Sequence, residues 1–153
     1  MDRRFDSDSA ASAVRDRDRP MLLMIEDDPD DRAIYGDMLC YNGYDVVLAG
    51  NVAEGLRAAE QHRPDLVLLD MGLPDGSGLE VCVELRRQDA DCSVPIIALS
   101  AFPHQEFGAR AADAGCTIYI EKPASPIGVL HHIEQLIGRA PMPGEGRPPR
   151  IIE

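Results

Sequence analysis

Five times along this chain a short apolar run is followed by a longer stretch with helical spacing. The runs are residues 21–25 (MLLMI), 44–48 (YDVVL), 65–69 (DLVLL), 94–99 (VPIIAL) and 117–120 (TIYI). They are strand-length and mostly unbroken by alternating polar residues, so they suit strands buried on both faces. The stretches between them carry helix punctuation. Asn51 with Glu54, and Ser77 with Glu80, have the spacing of a capping box. Asn42-Gly43 closes the first helix, and Gly115 stands where a left-handed C-cap is wanted. The last helix spans about residues 125–137, with Ile127, Leu130, Ile133, Leu136 and Ile137 expected on one side. Five such units predict an α/β chain: a doubly wound parallel sheet with helices on both faces.

The two ends differ from this middle. Residues 1–19 interleave five Asp with five Arg, and residues 139–153 hold four Pro and two Gly. Neither has enough apolar surface to offset the entropy of ordering. The expected organisation is a disordered leader (1–19), a folded domain (20–138) and a flexible tail (139–153). The tail is too short and too proline-rich for an output module, so a stand-alone domain is expected. The leader is neutral and the tail carries +1, so against a net charge of −12 the middle carries −13. So acidic a body repels a phosphate backbone, which argues against nucleic acid as a partner. No apolar run approaches the ~20 residues that span a bilayer, and the N-terminus lacks a signal peptide's apolar stretch. No membrane association and a cytoplasmic location are expected. Cys40, Cys82, Cys92 and Cys116 are widely spaced, without a C-x-x-C pair. They read as small buried residues in a reducing compartment.

Ligands of open parallel sheets bind beyond the carboxyl ends of the strands. After the first run come Glu26, Asp27 and Asp28; after the third, Asp70 and then Met71-Gly72; after the fourth, Ser100; after the fifth, Glu121-Lys122-Pro123. All open at one edge, so carboxylates, a hydroxyl and an ammonium converge. Clustered carboxylates repel unless a cation or proton intervenes. Hard oxygen donors suit Mg²⁺, which binds through one or two carboxylates together with phosphate oxygens. Asp28, Asp30 and Asp31 suit a simpler role at the N-terminus of the next helix. Lys122 is the only lysine in the chain. An isolated lysine is ordinarily a solvated charge, but this one follows a buried run and faces the acids. Its compact ammonium suits a phosphoryl oxygen, and Lys122–Pro123 is a candidate cis bond. Ser100 could merely cap a helix, yet its hydroxyl also stands where it could donate to a phosphoryl oxygen.

Residues 21–138 resemble the receiver domain of two-component response regulators. The resemblance is carried by LLMIEDDPDDR, LVLLDMGLPDGSGLE, PIIALSA and YIEKPAS, in that order and spacing. It implies a flavodoxin-like (βα)5 fold, five parallel strands in the order 2-1-3-4-5. It also implies that Asp70 accepts a phosphoryl group from a phosphohistidine of a sensor histidine kinase or histidine phosphotransfer protein. Asp27, Asp70 and the Gly72 carbonyl would bind Mg²⁺ or Mn²⁺, with Glu26 acting through a water. Ser100 and Lys122 would hold the phosphoryl oxygens, and Tyr119 matches the family's switch aromatic. Phosphorylation would alter the surface of the fourth helix, fifth strand and fifth helix for a downstream protein. Such a domain is no turnover enzyme; it catalyses only its own phosphorylation and dephosphorylation. Ser100 stands in place of the more frequent Thr. Gly72 offers no side chain over the phosphoryl group, whereas Phe102 could shield it.

Three other readings meet the same residues. A haloacid-dehalogenase-like phosphatase expects a second Asp two residues after the nucleophile, where this chain has Gly72. A nucleotide-binding flavodoxin-like module wants Gly, Ser and Thr after the first strand to cradle phosphate, and Glu26-Asp27-Asp28-Pro29 is the opposite. A degenerate receiver, binding partners without phosphorylation, has no support in the residues, since every expected group is present.

Overall fold

In the computed structural model, which describes residues 18–89 and 93–153, the alternation becomes six parallel strands and five helices. In chain order these are β1 (Met21–Ile25), α1 (Pro29–Tyr41), β2 (Asp45–Ala49), α2 (Val52–His62) and β3 (Leu66–Asp70). They continue with α3 (Gly78–Gln88), β4 (Ile96–Ser100), α4 (His104–Ala114), β5 (Ile118–Glu121), α5 (Pro126–Ile137) and β6 (Ile151–Ile152). A small antiparallel hairpin, Gly72–Leu73 with Gly76–Ser77, lies between β3 and α3. The sheet runs β5-β4-β3-β1-β2-β6. The expected order 2-1-3-4-5 is therefore present, with β6 added beside β2.

Successive residues of each central strand face opposite cores. Leu23, Ile25, Val67, Leu69 and Ala98 face one core with Val81, Leu85 and Ala111 from α3 and α4. Leu22, Met24, Leu66, Leu68, Ile97 and Leu99 face the other, with Leu39, Val129 and Ile133 from α1 and α5. Two covered faces are why the strands read as continuous apolar runs. The caps match the sequence reading at Ser77, where the capping box is complete, and at Asn51, whose side chain accepts from the Glu54 N–H. Glu54 departs from the box, accepting from Gly50 instead. In α5 the buried face centres on Val129, Leu130 and Ile133, while Ile127 is left exposed. Leu136 and Ile137 pack against the same core, so the expected stripe holds except at Ile127.

The C-terminal segment corrects the expected tail and strand count. Residues 139–153 lie against the sheet edge, and Ile151 and Ile152 pair with Val46 and Val47 of β2. The physical reason is a polar network rather than apolar burial. Asp45, fully buried, accepts from both Nη atoms of Arg147 and from the Arg150 N–H. Burial would raise the Asp45 carboxyl's pKa, but Arg147 and the Arg150 amide outweigh it and hold the group below its ordinary value. Arg19, assigned to the leader, is only 1% exposed. Its guanidinium donates to the carbonyls of Gly43, Pro141, Glu145 and Arg147. The leader boundary therefore moves upstream of Arg19; the rest of the expected leader, residues 1–17, lies outside the described residues. Gly43, at φ +96°, makes this crossing possible, since a Cβ there would meet the Pro141 carbonyl.

Candidate functional site

Parallel pairing carries β3, β4 and β5 past their apolar runs to the polar residue that follows. Asp70 pairs opposite Leu99, and Ser100 opposite Glu121, so both become strand-end residues buried at 7% and 0% exposure. Behind Asp70 the chain is tightly packed. The Gly78 N–H donates to the Met71 carbonyl, and a Cβ at position 78 would fall 2.7 Å from Met71 Cα. Only glycine lets α3 begin so close to the Asp70 strand end.

The carboxylates of Glu26, Asp27 and Asp70 converge, with ligand oxygens all within 4.8 Å of one another. Lys122 reaches in from the end of β5, its Nζ 3.1 Å from Glu26 Oε1 and 3.5 Å from Asp70 Oδ1. The Lys122–Pro123 bond is cis. Asp70 Oδ1 also accepts from the Gly72 N–H at 3.2 Å. Gly72 is exposed, with nothing within 4 Å of where its Cβ would be, so the approach to Asp70 from that side is open. Arg32 holds the acidic turn by donating to the Glu26 and Asp27 carbonyls at 2.7 and 3.1 Å. Sequence reading missed this role, because an arginine in a first helical turn gives no sign that it folds back onto the preceding turn. Asp28 behaves as the simpler reading expected: it is the N-cap of α1, accepting from the Asp30 N–H.

Burial raises the Glu26 carboxyl to about 7, with Asp70 adding to the rise and the Asp28 N–H opposing it. Burial would depress the Lys122 ammonium, but Asp70 and Glu26 prevail and hold its pKa above the ordinary value. Three carboxylates against one ammonium leave excess negative charge in a small space. The oxygens are hard donors, and Asp27 is exposed, so the residues fit a small divalent cation such as Mg²⁺ or Mn²⁺.

Ser100 and Tyr119 meet at one residue. The Ser100 Oγ accepts from the Phe102 N–H at 3.0 Å, and the Tyr119 hydroxyl donates to the Phe102 carbonyl at 2.7 Å. Tyr119 packs edge-on against His104 and beside Phe107 of α4. Phe102 is 51% exposed and stacks on Phe107. The structure thus brings Glu26, Asp27, Asp70, Gly72 and Lys122 together, with Ser100 at the neighbouring strand end and Tyr119 joined to it through Phe102. Among the described residues no helix is long and apolar enough to cross a membrane.

Comparison with known proteins agrees with this geometry. Residues 22–134 match the family model described as response regulator receiver domain. The chain is 34% identical over 119 residues to the polar-differentiation response regulator DivK of Brucella anthropi, covering 78% of this chain and 97% of that protein. Among solved structures it is similar to a CheY-like response regulator receiver domain protein from Methanospirillum hungatei, with a TM-score of 0.71 and 27% identity over 76% of this chain and 91% of the other. It is also similar to a response regulator from Burkholderia pseudomallei solved with a phosphorylated aspartic acid and a calcium ion. That likeness has a TM-score of 0.67 and 25% identity, covering 72% of this chain and 64% of the other.

Proposed function

We propose, for a chain that belongs to the response regulator receiver domain family, that Asp70 is a phosphoacceptor and that its phosphorylation switches the α4–β5–α5 surface. The observation that carries this reading is the convergence of Glu26, Asp27 and Asp70 with Lys122 at 3.5 Å from the Asp70 carboxylate. Phosphoryl transfer asks for an in-line nucleophile and positive charge around the equatorial oxygens, and little else. Asp70 supplies the nucleophile: a carboxylate oxygen bonds to phosphorus as the phosphorus–nitrogen bond of the donor phosphohistidine breaks. That donor belongs to a sensor histidine kinase or a histidine phosphotransfer protein. Asp27, Asp70 and the Gly72 carbonyl would hold Mg²⁺ or Mn²⁺, with Glu26 acting through a water. The cation would supply charge against the phosphoryl oxygens. Lys122 adds a second, protein-borne charge.

The readout follows from Phe102. A phosphoryl group on Asp70 offers the Ser100 hydroxyl a charged acceptor, a stronger partner than the Phe102 amide it now serves. Drawing Ser100 away frees the Phe102 amide while Tyr119 holds the Phe102 carbonyl. The change therefore passes to the Tyr119 ring, to α4 through His104 and Phe107, and to a downstream protein partner. The Burkholderia pseudomallei relative with its phosphorylated aspartic acid supports this chemistry for the fold.

The test is intact mass after incubation with Mg²⁺ and acetyl phosphate. Wild type should gain one phosphoryl mass and Asp70→Asn none. Phosphate on both proteins, or on neither, overturns the assignment; the second result would leave a partner-binding domain without phosphorylation.

A further inference from the structure

The geometry points to a second reactive site, a redox-sensitive dithiol: Cys82 and Cys116 form a pair that hydrogen peroxide converts to a disulfide joining α3 to the start of β5. The two residues stand 34 positions apart, yet their Sγ atoms lie 2.8 Å from each other. Both are free thiols. Cys82 is fully buried in α3, whereas Cys116, in the turn between α4 and β5, is only partly covered.

The surroundings hold the pair together. Arg86, one helical turn beyond Cys82, donates through Nε and Nη2 to the Gly115 carbonyl at 3.0 and 2.7 Å, and through Nη1 to the Val94 carbonyl at 2.7 Å. The Cys116 N–H closes the end of α4 on the Ala111 carbonyl at 3.0 Å. Clamped on both sides, the sulfurs need to move only roughly 0.8 Å to reach the ~2.05 Å of a disulfide. Such a pair is the arrangement that cells with reducing interiors use for transient redox signals rather than permanent staples.

The two thiols are unequal. Hydrogen bonding from Cys82 holds the Cys116 thiol below its ordinary pKa, burial opposing and Arg86 assisting. The hydrogen bond with Cys116 and burial push the Cys82 thiol up. Cys116, the sulfur within reach of solvent, is the attacking thiolate, and the fully buried Cys82 is the resolving thiol. In the first step the Cys116 sulfur bonds to one peroxide oxygen as the O–O bond breaks. This leaves a sulfenic acid and a hydroxide, which takes up the proton Cys116 had lost. In the second, the Cys82 sulfur bonds to Cys116 Sγ, the S–O bond breaks, and the departing hydroxide leaves as water with the Cys82 proton. Two thiols and one peroxide thus give one disulfide and two waters. The disulfide would close a loop around β4 and α4, tethering to α3 the turn that leads into Tyr119.

The test uses the full chain, reduced, freed of reductant and exposed to one equivalent of hydrogen peroxide. It is then denatured in iodoacetamide and digested without reduction for mass spectrometry. The Cys82 and Cys116 peptides should appear joined, lighter by two hydrogens than their sum, with Cys40 alkylated as before. Dithiothreitol should restore alkylation at both. Recovery of both as alkylated thiols overturns the proposal. So does Cys116 as sulfinic acid beside a free Cys82, or the same cross-link forming equally fast in urea.

Discussion

Glu26→Gln should stabilise the cation-free protein above pH 7 and weaken it slightly below pH 5. The Glu26 carboxyl is 2% exposed and raised from 4.5 to about 7, first by burial and then by Asp70. A carboxyl raised in this way binds its proton more tightly folded than unfolded. Its contribution is fully present below about pH 4.5 and is lost as pH rises through about 7. The gap corresponds to at most about 3 kcal/mol. Glutamine removes that loss and still accepts the Lys122 bond at 3.1 Å. It places an NH₂ where Glu26 Oε2 accepts from the Asp28 N–H at 3.2 Å, forfeiting about 1 kcal/mol. The net gain at pH 8 is then about 1–2 kcal/mol, a rise in melting temperature of roughly 5 °C. Near pH 5 the two effects nearly cancel, and only below about pH 4.5 does the forfeited bond stand alone, leaving the variant about 1 kcal/mol below wild type.

The assay is thermal melting of both proteins in EDTA from pH 5 to pH 8. Titration of carboxyls remote from Glu26 cancels in the difference between them. Two melting curves that stay parallel across this range, or a variant less stable at pH 8, would refute the reasoning. Repeating the series with Mg²⁺ should close the gap, since a ligand at a hundred times its dissociation constant adds about 2.7 kcal/mol to the state that binds it. Wild type, with the full acidic cluster, gains more.

Two further perturbations probe the scaffold. Gly78→Ala drives a methyl to within 2.7 Å of Met71 Cα and should cost about 1–3 kcal/mol; chemical denaturation measures it, and an unchanged midpoint would show that α3 does not need the close approach. Asp45→Asn removes the charge that gathers Arg147 and Arg150, so protection of the Val46 amide, which donates to the Arg150 carbonyl, should fall roughly ten-fold or more in hydrogen exchange. Because the Asp45 carboxyl is held below its ordinary 3.8, the contact is present above that pH and is lost only as acid protonates it; equal protection in the variant would refute the role.

What was legible in the sequence is what short-range periodicity encodes. Runs such as residues 65–69 mark strands because both faces are covered, and Asn51 and Ser77 mark helix starts because an N-cap acts over two or three residues. The ends of β3 and β4 were read one residue early, since hydropathy stops at Leu69 and Leu99. Backbone pairing continues to Asp70 and Ser100, the positions where polar chemistry is wanted. The acidic cluster was legible because the sheet rule places successive strand ends at one edge. The C-terminal segment and the cysteine pair were not, for a shared reason. Arg147 meets Asp45 across 102 positions, Arg19 meets the Arg147 carbonyl across 128, and Cys82 meets Cys116 across 34. None repeats with any local period. A proline- and glycine-rich stretch does lack regular structure, and here it is held by side-chain charge instead. Composition therefore had no means of seeing what a single buried carboxylate at Asp45 could hold.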